Sequence, residues 1–99
     1  MDDPLEETRR FVKRYWADEG EPAAVAEDLR YMVGLNRSAI RRGADAIDAL
    51  LADPPPQGVL LQLVSFDGNY PLDSGTDEEA VEWLRSFAAM ARDALGETR

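Results

Sequence analysis

A chain of 99 residues without histidine or cysteine lacks the side chains that most often serve as general base, transition-metal ligand or thiolate nucleophile at neutral pH. Carboxylates remain. Asp77 beside Glu78, and Glu78 four residues before Glu82, could share a proton as an acid/base dyad or hold magnesium. The helix dipole favours acidic residues in a first turn without any such chemistry. DGNYPLDSGTDEE has the composition of a calcium loop but lacks its Asp-x-Asp-x-Asp-Gly spacing and closing bidentate glutamate. Ser38, Ser65, Ser74 and Ser86 have no histidine or lysine near them in sequence to activate a nucleophile, and no glycine-rich phosphate loop occurs. The residues point away from an enzyme, and no cofactor or metal is expected.

The distribution of charge is more informative. Eleven basic against twenty acidic residues give a formal charge of −9, which repels the dense phosphate charge of a duplex and favours a basic partner. From Asp18 to Asp28 there are five acids and no base (Asp18, Glu19, Glu21, Glu27, Asp28). From Asp67 to Glu82 there are six, again with no base. Between them Arg30, Arg37, Arg41 and Arg42 form a basic stretch without an acid. Two acidic runs meeting at one end of a fold would steer and grip lysines and arginines of a partner; the same runs also serve plain solubility. Among the aromatic residues, Tyr15, Trp16 and Trp83 sit at helical spacing and read as core, whereas Tyr70 sits in a turn among polar residues and reads as an anchor.

These side chains have to be positioned by helices. Asp3 as cap, Pro4 at the first helical position and Glu6 three residues on make a capping-box start; Leu5, Thr8, Phe11, Val12, Tyr15 and Trp16 then supply one apolar face, up to an ADEGEP turn. Pro22 begins a second helix through Val25, Leu29, Met32 and Val33, with Gly34 placed to end it in a left-handed conformation. Asn36 or Ser38 caps a third, which carries Ile40, Ala44, Ile47, Leu50 and Leu51 and stops at the three prolines 54–56. In QGVLLQLVSF, Val59, Leu60, Leu63 and Val64 fit a buried helical turn, while its length and β-branched content also allow a strand; helix is preferred because a lone strand would find no partner for its backbone groups. Asp67 to Gly75 is turn chemistry. Thr76 and Glu79 make a second capping box before a last helix with Ala80, Trp83, Leu84, Phe87, Ala88, Ala91 and Leu95 on one stripe, closed by Gly96.

With 44% apolar and 31% charged residues, the composition is that of a folded globular chain. The length sets one domain, residues 1–99, an all-α bundle of four to five helices. The first residues lack a signal-peptide pattern, and no window approaches a membrane span. Neither an internal repeat nor a low-complexity tract occurs. Absence of cysteine fits a reducing compartment, so the expectation is a cytoplasmic protein without membrane attachment.

FVKRYWADEGEPAAVAEDL, AIDALLADPP and GNYPLDSGTDEEAVEWLRSFAAMA together resemble the small helical immunity proteins of bacterial contact-dependent growth inhibition and related polymorphic toxin systems. The pattern consists of Tyr15 with Trp16 closing the first helix, Asp18 in an acidic turn, a short helix from Val25 to Leu29, Leu50 with Leu51 at a helix end, Gly68, Tyr70 and Pro71 in a loop, and Trp83 with Leu84. The chain departs from it after the aromatic pair, where the family's His-Gln-Asp-Trp is replaced by Ala17, Asp18, Glu19 and Gly20. The resemblance implies a protein that neutralises a cognate toxin, typically a nuclease, by binding its C-terminal domain, with no direct nucleic-acid contact. The expected partner-binding residues are Asp18, Glu19, Glu21, Asp67, Tyr70, Asp73, Asp77 and Glu78. The alternative is a helical adaptor or regulatory domain whose apolar groove receives a partner helix, its acids serving solubility alone.

Overall fold

The computed structural model describes residues 3–16, 21–68, 72 and 74–96. Among them are four α-helices and no strand: α1 (Pro4–Trp16), α2 (Pro22–Ala52), α3 (Val59–Gln62) and α4 (Asp77–Leu95), with one π-helical turn over Leu63–Asp67 continuing α3. No helix among the described residues is long and apolar enough to cross a membrane.

Helix α1 follows its sequence pattern. Glu6 and Glu7 stand in its first turn and Lys13 and Arg14 in its last, each sign matching the end of the dipole it faces. Its inner face buries Thr8, Phe11, Val12, Tyr15 and Trp16. Glu6 does not complete a capping box, because its carboxylate accepts from Arg9 Nη1 at 2.7 and 2.9 Å.

The two helices expected between residues 22 and 52 form one element with a break. Asn36 departs from helical geometry (φ −153°, ψ 80°), and its Oδ1 accepts from the Ala39 N–H at 3.2 Å, capping the second arm. The expected stop at Gly34 is corrected: this residue stays helical, and the left-handed glycines among the described residues are Gly58, Gly75 and Gly96. Asparagine wins here because its side chain supplies the acceptor that a new helix start requires, whereas glycine supplies only freedom. The first arm buries Val25 and Leu29; the second buries Ile40, Ala44, Ala46, Ile47 and Leu50.

QGVLLQLVSF is helical, as preferred, but its second half widens. Gly58 enters α3 at φ +92°, and the Gly68 N–H donates to the Leu63 carbonyl at 3.0 Å, five residues back. The wide turn buries Leu63 and Val64 while leaving Phe66 77% exposed. Gly68 lets this turn lie flat on α1, since a Cβ there would meet Val12 Cγ1 at 2.8 Å and the Val64 carbonyl at 2.9 Å.

Helix α4 starts as a capped helix, with the Glu79 N–H donating to Thr76 Oγ1 at 3.2 Å. The reciprocal arm differs from the capping box, because the Glu79 carboxylate takes the Ser74 N–H and hydroxyl, both at 2.6 Å. At the far end Gly96 closes the helix at φ +78°, and Arg37 donates to the Leu95 carbonyl, satisfying an orphan acceptor of the last turn. The core lies where α1, α2 and α4 converge. Phe87 is fully buried, stacked on Phe11 at 4.7 Å between centroids and edge-on to Trp16 at 5.8 Å. Burying each large side chain of this core stabilises the fold by about 1.5–3 kcal/mol.

Candidate functional site

Of the eight residues expected to bind a partner, Glu21, Asp67, Asp77 and Glu78 are described; Asp18, Glu19, Tyr70 and Asp73 lie outside the described residues. Glu21 is exposed at the start of α2, where its backbone carbonyl accepts from the Val25 N–H at 3.0 Å and its carboxylate makes no capping hydrogen bond. Glu78 is exposed in the first turn of α4. These two present their charge to solvent.

The other two are engaged within the fold. Asp67, at the end of the π turn, accepts from Arg9 Nε at 2.9 Å, so Arg9 bridges Glu6 of its own helix to the α3 segment. Its guanidinium pKa is raised, first by the hydrogen bond to Asp67 and then by that to Glu6. Asp77 reaches back to the start of α3, accepting from the Gly58 N–H at 2.7 Å and the Leu61 N–H at 3.1 Å. It thus caps the neighbouring helix rather than its own, with both carboxylate oxygens taken up by that helix's backbone N–H groups. Among the described residues no group of three or more carboxylates converges as a metal site.

Tyr15 and Trp16 are core, as their spacing predicts. Trp16 at the end of α1 packs edge-on against Trp83 in the second turn of α4, with centroids 4.8 Å apart. The first acidic run begins two residues beyond Trp16, and the second closes at Glu82, one residue before Trp83.

A second surface was not legible as a site. Between α1 and α2 runs a groove of about 520 Å³, lined by Glu7, Arg10, Phe11, Arg14, Tyr15, Met32, Ala39, Ile40, Arg42 and Gly43. A smaller hollow lined by Arg14, Tyr15, Asp28, Tyr31 and Met32 shares three of those residues and extends it. Tyr31 and Leu35, one helical turn apart on the first arm of α2, are 69% and 65% exposed. The sequence signal was present in the acid-free Arg30–Arg42 stretch and in the offset of Tyr31 from the Val25–Leu29 stripe. What it lacked was the placement of Arg10 and Arg14 of α1 across from that stretch.

Comparison with known proteins returns no match: no protein-family model, curated protein or solved structure is similar to the chain. The described residues define an all-α protein with Glu21 and Glu78 exposed at helix starts and an arginine-lined groove between α1 and α2.

Proposed function

We propose that the protein is an immunity-type inhibitor that binds a basic, nuclease-type toxin domain through its acidic edge. The observation that carries this reading is the Trp16–Trp83 contact, which joins the chain segments flanking the two base-free acidic runs in a molecule of net charge −9. Exposed carboxylates arranged in this way accelerate encounter with a basic surface and select against acidic partners. Glu21 and Glu78 offer their charge directly, together with Asp18, Glu19 and Asp73 of the same runs, and Tyr70 is the apolar anchor. Asp67 and Asp77 act indirectly, holding the α3 segment in place.

The test is co-expression with basic nuclease domains encoded beside the chain's own gene, scored by cell survival and by loss of nuclease activity on mixing. The expected outcome is stoichiometric neutralisation of one such domain, weakened by salt. Glu21→Lys combined with Glu78→Lys then weakens it about tenfold or more while thermal melting is unchanged. Undiminished inhibition by that pair removes this edge from the interface, and neutralisation of none of the domains removes the reading.

A further inference from the structure

We infer that the groove between α1 and α2 is a docking site for an acidic amphipathic helix of a partner protein. The groove's extension shares Asp28 with the first acidic run, but the inference does not use the carboxylates proposed to bind a toxin and stands whether or not they do. The charge is the first argument. In a chain with nearly twice as many acids as bases, three arginines, Arg10 and Arg14 of α1 and Arg42 of α2, line one trough. Arg14 and Arg42 make no ion pair among the described residues, while Glu7 stands by Arg10 at 3.8 Å and Asp28 lines the adjoining hollow with Arg14. Arg14 lies across the trough: its Nη2 is 3.9 Å from Met32 Sδ, and its guanidinium is 5.8 Å from the Tyr15 ring centroid.

The second argument is apolar surface beside that charge. Met32 is adaptable and half-buried, and Tyr31 and Leu35 stand open to water one turn apart on the same arm. Tyr31 and Met32 line the hollow beside Arg14, where the i and i+4 apolar side chains of an incoming amphipathic helix can be laid. The Asn36 break, with the second arm recapped through Ala39, separates Tyr31 and Leu35 from Ile40 and Gly43, so the trough is flanked by two arms of α2. Arginine forks suit carboxylates on both flanks of the incoming helix.

The probe is a synthetic helical peptide with leucines at i and i+4 and glutamates on the flanking positions, compared with the same peptide carrying lysines. Amide chemical shifts of the labelled protein locate binding, and fluorescence anisotropy gives Kd at low and moderate salt. We expect the acidic peptide alone to bind, to shift Tyr31, Met32 and Gly43, and to weaken with salt. Arg14→Glu with Arg42→Glu, both exposed, is expected to weaken it about tenfold or more without changing the melting curve. Glu21→Lys with Glu78→Lys leaves it intact. The inference is overturned if those groove residues do not shift at saturating peptide, or if the lysine peptide binds equally. It is also overturned if a single-stranded oligonucleotide takes the same residues more tightly, or if sedimentation shows a second copy of the chain occupying them.

Discussion

Three positions test how tightly α1 is fitted to its neighbours. Gly43 is buried, and a Cβ there would sit 2.5 Å from the Phe11 ring, which cannot give way because it is stacked on Phe87. Overpacking of that kind costs about 1–3 kcal/mol, against about 1 kcal/mol gained from helix propensity, so Gly43→Ala lowers the melting temperature. Gly34 is helical with nothing within 4 Å of its would-be Cβ, and Gly34→Ala raises stability by about 0.5–1 kcal/mol. Thermal denaturation of the two alanine variants should move in opposite directions; equal shifts would mean that α1 and α2 do not approach as closely as described. Thr8 is fully buried and its Oγ1 has no hydrogen-bond partner among the described residues. Thr8→Val removes that desolvated hydroxyl with almost no change of shape, and a gain of about 1 kcal/mol is expected, read as a rise of about 4–8 °C in Tm.

At the scale of elements, α3 is too short to hold its own conformation, so its start depends on the Asp77 carboxylate presented by α4. Asp77→Ala is expected to cost about 1–2 kcal/mol, with Asp77→Asn costing less because an acceptor oxygen remains. Glu78→Ala, one residue on, stays within about 0.5 kcal/mol; urea denaturation of the three variants checks the order. This contrast also marks where the sequence stops being readable. Period and capping residues located α1, the two arms of α2 and α4, because those signals act within a few residues of one another. Asp77 was legible as an acid in a first turn, yet its partners lie 19 and 16 residues earlier, and nothing local distinguishes a carboxylate aimed at another helix from one facing water. The same holds for Asp67, whose role is set by Arg9, 58 residues away. Phe66 lies outside the Val59, Leu60, Leu63 and Val64 pattern that reads as buried, and the π turn, fixed by Gly68 against Val12, leaves it exposed. Glu21 and Glu78 remain where the pattern put them, exposed at helix starts.

For the molecule as a whole, the sign of the salt response follows from comparing two opposing effects. Nine net negative charges are confined within a radius of gyration of 12.5 Å, and the unfolded chain spreads them over more than twice that distance. Their mutual repulsion, on the order of several kcal/mol at low salt, opposes folding. Screening relieves it as the Debye length falls from about 30 Å at 0.01 M to about 8 Å at 0.15 M. The same salt weakens the bridges from Arg9 to Glu6 and Asp67 and from Arg92 to Asp45 and Asp48. Hydrogen bonds first to Asp48 and then to Asp45 raise the Arg92 pKa, so the arginine itself stays charged at every working pH. The two aspartates are 58% and 61% exposed, which limits each such bridge to about 0–1 kcal/mol. Repulsion is the larger effect, and sodium chloride raised over that range should increase Tm by about a few degrees. A fall in Tm would mean that the clamps from α1 to α3 and from α2 to α4 outweigh the net charge. Arg92→Ala would then make that fall shallower, whereas with repulsion dominant it lowers Tm and steepens the rise, because one more net negative charge is left and a salt-weakened bridge is lost.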